Sequence, residues 1–265
     1  MTILAKDLLN PIAASELAEL TVAPGIFRLP GGTIVRSEVN GETVFFTVAA
    51  RRDLIQNKYH ANGVFYEQEE LEILRRAFPP GGIYIDIGAN VGNHALFVAK
   101  FLRPSEVVVV EPNPVAYKVL VSNVLLNHVD DVVDMTWLGY GIAEAAVDTF
   151  GLDFHMSNVG AGRLVEGAGD ISVVPADDVI GDRAASFIKI DVEGMEMHVL
   201  RSLKETVKRC KPRMLIEVDR ENREAFEAWV SEHGYTAYSR RKKYNPNRNF
   251  LLIHEEDQTW GSWTC

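Results

Sequence analysis

The chain has 265 residues, 47% of them hydrophobic and 24% charged, with a formal net charge of −10. That balance suits one large packed domain or two modest ones and argues against nonspecific binding to duplex nucleic acid or an anionic lipid surface. Cys210 and Cys265 are too few for a disulfide framework, and no apolar stretch reaches the ~20 residues that span a bilayer. The opening MTILAKDLLN lacks a basic segment followed by a signal-like apolar core, so a cytoplasmic setting with free thiols is expected.

In the first eighty residues, TIVRSEVNGETVFFTVAARRD sets two apolar runs about Asn40-Gly41, which predicts a β-hairpin. Leu71, Leu74 and Phe78 recur at helical spacing over 66–78, with acids early and Arg75 and Arg76 late, as the helix dipole favours. Pro79-Pro80-Gly81-Gly82 stops that helix. Strands are then predicted at 83–87 (IYIDI), 106–111 (EVVVVE), 131–138, 186–191 (SFIKID) and 213–218 (RMLIEV). Helices are predicted after the glycine turn that follows 87, and over 114–126, 193–207 and 221–233. The stretch 139–172 reads as glycine-rich and irregular. Strands at 235–239 and 250–254 lack an intervening helix and close the chain as a hairpin, one of them antiparallel to the rest. Between them, RKKYNPNRN at 241–249 reads as a solvated basic loop or as a contact for an anionic part of a substrate. This alternation predicts an α/β fold, a mostly parallel sheet with helices on both faces.

Two segments carry chemistry. In IYIDIGANVG a strand ends in Asp86, and Gly88 and Gly92 permit a tight turn at the start of a helix. A dinucleotide site would place a third glycine in the middle, to admit a pyrophosphate, and would not set Asp86 beside it. Glu111 ends the next strand, 25 residues on, where an acid can accept both hydroxyls of a ribose. Together these residues point to a nucleoside without a pyrophosphate, adenosine bearing an amino-acid tail, which is S-adenosylmethionine. The second segment is FIKIDVEGMEMHVLRSL. Lys189 lies in a strand expected to be buried, and Asp191 points the same way two residues on. Asp191, Glu193 and Gly194 then fall at the carboxyl end of the strand, where open α/β sheets bind ligands. Glu196 on the next helix and Glu217 from the following strand are lesser candidates.

YIDIGANVGNHALF, VVVVEPNP, SFIKIDVEGMEMHVL and PRMLIEVD resemble the FkbM family of S-adenosylmethionine-dependent methyltransferases, over about residues 60–255. The resemblance implies a class I methyltransferase (Rossmann-like) fold, with a mostly parallel seven-stranded sheet and a small N-terminal extension. It divides the chain into a hairpin-containing extension at 1–65 and a methyltransferase domain at 66–265. It also implies O-methylation of a hydroxyl on a sugar or natural product, in antibiotic or polysaccharide biosynthesis. By resemblance, Asp86, Gly88, Ala89, Asn90 and Gly92 form the cofactor loop. Glu111 holds the ribose, Asn113 lies near the adenine or ribose, and Asn123 matches the family's helix asparagine. Lys189, Asp191, Glu193 and Gly194 match the fourth-strand signature. His94 stands where many members carry an aromatic or small polar residue, and it is given no role.

Mechanistically, Asp191 or Glu193 is expected to orient or deprotonate the acceptor while Lys189 tunes the carboxylates. His155, in the loop HMSNVGAGRL, is a second base candidate. No metal ligand set is assigned, although Asp191, Glu193 and Glu217 offer oxygens suited to Mg²⁺. Arg51, Asp53, His60, Tyr66 and Glu67 are a mixture fit to line a cleft or support a homodimer interface. The expected partner is a small-molecule or glycan hydroxyl, with no nucleic acid and no membrane. The competing readings are methylation of RNA or protein, a nicotinamide-dependent oxidoreductase, and a noncatalytic cofactor-binding protein.

Overall fold

The computed structural model describes residues 25–29, 32–49, 53–155, 158–167, 169–240 and 247–260. Strands β1 (Gly25–Leu29), β2 (Gly32–Val39) and β3 (Glu42–Val48) form an antiparallel meander. Asn40 and Gly41 turn its second hairpin with φ of 52° and 81°, the left-handed pair that a two-residue hairpin turn requires. Helix α1 (Leu54–Lys58), a 3-10 turn (His60–Asn62) and α2 (Gln68–Ala77) lead into β4 (Ile83–Ile87). Strand and helix then alternate through α3 (Asn93–Phe101), β5 (Glu106–Glu111), α4 (Pro114–Leu126) and β6 (Val133–Leu138).

The stretch expected to be irregular is a second sheet. β7 (Tyr140–Ile142), β8 (Val147–His155), β9 (Asn158–Glu166) and β10 (Ile171–Val174) pair in the order β7-β10-β8-β9. Its glycines dilute the apolar alternation that marks a strand, and neighbouring backbones supply the pairing instead. After α5 (Ala176–Ile180) and β11 (Ala185–Ile190), the single helix expected over 193–207 is two, α6 (Glu196–Arg201) and α7 (Lys204–Cys210). The break falls at Ser202, whose hydroxyl donates to Val199 O (2.8 Å) and accepts from Ala176 N (3.1 Å). Then follow β12 (Arg213–Val218), a 3-10 turn (Arg220–Asn222), α8 (Arg223–Glu232), β13 (Tyr235–Arg240) and β14 (Arg248–His254).

Among the described residues the main sheet has seven strands in the order β13-β14-β12-β11-β4-β5-β6. β12, β11, β4, β5 and β6 pair in parallel, and β14 is antiparallel to both of its neighbours. Side chains alternate between two buried faces. Tyr84, Val107, Val109, Phe187 and Leu215 pack with Leu71, Leu74 and Phe97 on one side. Ile85, Val108, Ile188 and Ile216 pack with Val179, Leu200, Phe226 and Trp229 on the other. Burial on both faces explains why these strands read as unbroken apolar runs.

The meander is hydrogen-bonded to α4. Asn127 accepts from Phe45 N (2.9 Å) and donates to Phe45 O (2.7 Å), standing in for a neighbouring strand. Asn123 Oδ1 accepts from Thr47 N (2.8 Å). Val44, Phe46 and Phe65 join the core formed with α2 and α3. At the amino end of the sheet, Arg213 pins the segment after β14. It donates to Asp257 Oδ2 (2.7 Å), Ala77 O (2.7 Å) and Thr259 Oγ1 (2.7 Å). Among the described residues no helix is long and apolar enough to cross a membrane.

Candidate active site

A cleft opens at the carboxyl ends of β4, β5 and β11. Gly88 and Asn90 from the first turn, Glu111 from β5, and Asp191, Val192 and Glu193 after β11 line it. Val110, Pro112, Ile142, Leu164 and Met195 supply apolar walls.

Gly88 makes the close approach possible. Its φ is +82°, and a Cβ there would stand 1.9 Å from the carbonyl oxygen of Asp191. The amides of Gly88 and Ala89 both donate to Val110 O (3.0 Å each), which draws the turn across the end of β5. Gly92 starts α3 at φ +80°, and a Cβ there would meet Leu120 Cγ at 2.8 Å. Asn90 between them is left-handed (φ 51°), and its amide donates to Glu111 Oε2 (2.7 Å). Glu111 Oε1 accepts from Asn113 N (2.8 Å). Two amides thus hold one carboxylate, and each oxygen keeps a lone pair for a further donor. Burial pushes the Glu111 carboxyl up to about 7, against the pull of those amides.

Beneath the cleft lies a charged trio. Asp86 and Lys189 are register partners on adjacent parallel strands. Lys189 Nζ is 3.2 Å from Asp191 Oδ2 and 3.7 Å from Asp86 Oδ1. Burial opposes the lysine's charge, but Asp191, Asp86 and Glu67 overcome it and hold the ammonium firmly protonated. For Asp86, burial dominates and raises the carboxyl to about 6, with Lys189 opposing and Asp191 assisting. A smaller cavity lies on the far side, among Glu67, Glu70, Lys189, Glu217 and Asn249. Asp191 borders both spaces.

The turn after β11 is built by its neighbours. Glu193 is left-handed (φ 47°) and Gly194 follows at φ 95°. Glu196 Oε1 accepts from Gly194 N (2.7 Å), and Asn222 donates both to Gly194 O (3.0 Å) and to the other oxygen of Glu196. Partial burial, then Asp191, Glu217, Asp219 and Glu196, push the Glu193 carboxyl up to about 7.

Of the residues singled out in the sequence, Gly88, Asn90, Glu111, Asp191 and Glu193 therefore meet in one cleft. Asp86, Ala89, Gly92, Asn113 and Asn123 do not line it. Asn113 is buried as the N-cap of α4, accepting from Val115 N (3.0 Å). Asn123 links the meander to the glycine turn, for its Nδ2 donates to Val91 O (2.9 Å). His155 ends β8 opposite Asn158, and its side chain lies outside the described residues, as do Arg51 and residues 241–246. His94 is buried 3.6 Å from Glu67.

Asp53 and His60 are wholly buried. Asp53 caps α1 by accepting from Gln56 N (2.9 Å). His60 packs on Phe46 with ring centroids 4.7 Å apart, and burial lowers it to about 4, opposed by its bond to Asn93. Among the described residues no group of three or more His, Cys, Asp or Glu side chains is arranged to hold a metal ion. Glu193 and Glu217 face different spaces.

Sequence reasoning missed the apolar walls. Met195 stood in view beside IDVEG, but Ile142 and Leu164 come from strands hidden in the glycine-rich stretch. It also missed Asn93, which accepts from Tyr66 N (2.8 Å) and donates to Tyr66 O (3.1 Å), tying the approach to α2 onto α3.

The Methyltransferase FkbM domain family matches residues 86–237, more than half of the chain. Among curated proteins none matches the sequence. Among solved structures, the methyltransferase FkbM from Methylobacillus flagellatus KT is 21% identical with a TM-score of 0.50. That match covers 66% of this chain and 44% of that protein, and it shows a shared fold. M. jannaschii TYW2 in complex with AdoMet is 16% identical (TM-score 0.44), over 85% of this chain and 86% of that one. Precorrin-6y C5,15-methyltransferase from Geobacter metallireducens GS-15 is 11% identical (TM-score 0.47), over 71% and 87%. On the family match, carried by the stretch that holds both the glycine turn and the IDVEG turn, the chain belongs to the FkbM family of S-adenosylmethionine-dependent methyltransferases.

Proposed function

We propose that the enzyme O-methylates a hydroxyl of a small molecule or glycan, with Glu193 taking the hydroxyl proton and Asp191 orienting the acceptor. The carrying observation is that Glu193, held near neutrality at about 7, lines the same cleft as Glu111 and Asn90. A base poised near the working pH is effective both at receiving a proton and at releasing it.

The donor set suits the family's cofactor. Glu111 retains lone pairs for two ribose hydroxyls. Val110, Pro112, Ile142 and Leu164 would flank the base. Among the described residues the buried Oδ1 of Asn90 has no hydrogen-bond partner, which leaves it as an acceptor at the cleft. When bound, S-adenosylmethionine supplies a methyl group already activated on a sulfonium. The chain then has to exclude water, hold the hydroxyl in line, and store the proton on Glu193 Oε.

The chain's acidity supports a small acceptor rather than a nucleic acid. We take residues 66–265 as the catalytic domain, residues 1–65 as an extension whose strand β3 is hydrogen-bonded to Asn123 and Asn127, and the cytoplasm as the place of action.

The test is turnover of Glu193→Gln and Asp191→Asn against hydroxylated sugars and natural-product alcohols, with S-adenosylhomocysteine affinity measured in parallel. Glu193→Gln should lose about 10²–10⁴-fold in kcat. It should also lose the rise in rate through pH 7, and its cofactor affinity should stay close to wild type. Undiminished turnover in both variants would refute the roles assigned. Methyl transfer to RNA or protein fractions alone would refute the acceptor class.

A further inference from the structure

Asp86 is expected from the sequence to face the cofactor, yet its side chain is wholly buried and forms no part of the cleft wall. The Ala95 amide and the Lys189 ammonium favour its charged form, but among the described residues neither oxygen receives a well-formed hydrogen bond. The nearest opposite charge is Lys189 Nζ, at 3.7 Å. A buried carboxylate so poorly provided with donors is costly and calls for a reason.

The charge count supplies one. Lys189 and Asp191 are paired at 3.2 Å and cancel each other. By themselves they would leave a neutral pair, with the ammonium directly beneath a site whose ligand carries a cationic sulfonium. Asp86, at 3.7 Å, is the second carboxylate in ion-pair range of Lys189 and gives the trio one net negative charge, while Glu67 acts on the same ammonium from the smaller cavity. Its place is set by the sheet, because Asp86 and Lys189 are register partners on β4 and β11, and no mobile loop decides their separation. Asp191 alone of the three borders the cleft.

We infer that Asp86 is a positioning residue that acts through Lys189: it compensates the lysine's charge, so that Asp191 presents an uncancelled negative charge to the cationic methyl donor. The inference rests on the family's cofactor and on no property of the acceptor. It assigns Lys189 the role of a buried linker between two carboxylates, and it separates Asp86 from the residues that touch the ligand.

The experiment is calorimetric binding of S-adenosylmethionine and of S-adenosylhomocysteine, which lacks the sulfonium charge, at pH 8. The proteins are the wild type, Asp86→Asn, Lys189→Met and the double variant Asp86→Asn/Lys189→Met, each checked for folding by thermal melt. Asp86→Asn makes the trio neutral, so it should weaken S-adenosylmethionine about tenfold and S-adenosylhomocysteine less. The double variant leaves Asp191 alone and restores one net negative charge. It should therefore recover S-adenosylmethionine affinity to within about threefold of wild type.

Lys189→Met should shift the preference toward S-adenosylmethionine. A double variant that binds no better than Asp86→Asn would overturn the inference, because a direct ligand contact or a plain structural role predicts further loss. If Asp86→Asn does not fold, the double variant alone decides, by wild-type-like affinity or a tenfold loss. A folded wild type that binds neither compound would instead overturn the cofactor assignment beneath it.

Discussion

Gly88→Ala should damage both the fold and the site, by an amount that follows from one contact. At φ +82° an L-residue pays about 1–2 kcal/mol for the left-handed conformation. The new Cβ would then stand 1.9 Å from the carbonyl oxygen of Asp191, so the two backbones must part by more than about 1 Å to restore an ordinary contact. Overpacking of that kind costs a further ~1–3 kcal/mol. Little slack is present, because Asp191 N donates to Ile87 O (3.0 Å) and Asp191 Oδ2 is held 3.2 Å from Lys189. A total of about 2–5 kcal/mol should lower Tm by roughly 5–15 °C for a chain of this size. S-adenosylhomocysteine affinity should fall more than about tenfold, since Asp191 moves with its carbonyl. Differential scanning fluorimetry and calorimetry read the two effects. A Tm within about 2 °C of wild type, with unchanged affinity, would show that the β4 and β11 turns do not constrain each other.

Asn123→Ala should cost about 2–4 kcal/mol in urea unfolding, because it strands the amide of Thr47 and the carbonyl of Val91. Asn123→Asp should not rescue it, for a carboxylate cannot donate to Val91; full stability in either variant would count against the clasp. Glu111 and Glu193 are both raised from 4.5 to about 7, so the stability they contribute is present below about pH 4.5 and lost as pH rises through about 7. The free protein's Tm should fall across that window, less steeply in Glu111→Gln. Cofactor affinity should run the opposite way and rise toward pH 8 with proton release, since the ionised Glu111 accepts the ribose hydroxyls; a Kd flat between pH 6 and 8 would contradict this. Arg213→Lys should lose about 2–3 kcal/mol by breaking the fork on Asp257 and Ala77 while leaving S-adenosylhomocysteine affinity intact, because it lies at the other end of the sheet. A change in that affinity would mean the two ends are coupled.

The main sheet was legible in the sequence because its strands are buried on both faces and punctuated by glycine turns. IYIDI, EVVVVE, SFIKID and RMLIEV each became a strand within a residue or two of the expected bounds. Helix α4 spans the expected 114–126, opened by Pro114, and the structure adds Asn113 as its cap. The β7–β10 sheet was not legible, since its strands are stabilised by pairing with one another rather than by an apolar face of their own. The break at Ser202 was hidden for a similar reason: helical spacing continues across it, and the hydrogen bond from Ala176 comes from a distant segment.

The sequence by itself determined the strands of the main sheet, the family, and the two turns where ligands gather, because tight turns and strand ends are local properties written in residues a few positions apart. Only the tertiary structure decided which of those residues reach the cleft. Glu111 and Glu193 face it, while Asn113 and Asn123 spend their side chains on a helix cap and an interlayer clasp. Asp86 lies under the floor, on Lys189. The reason is that register between neighbouring strands, not spacing along the chain, sets which side chain stands beside which charge.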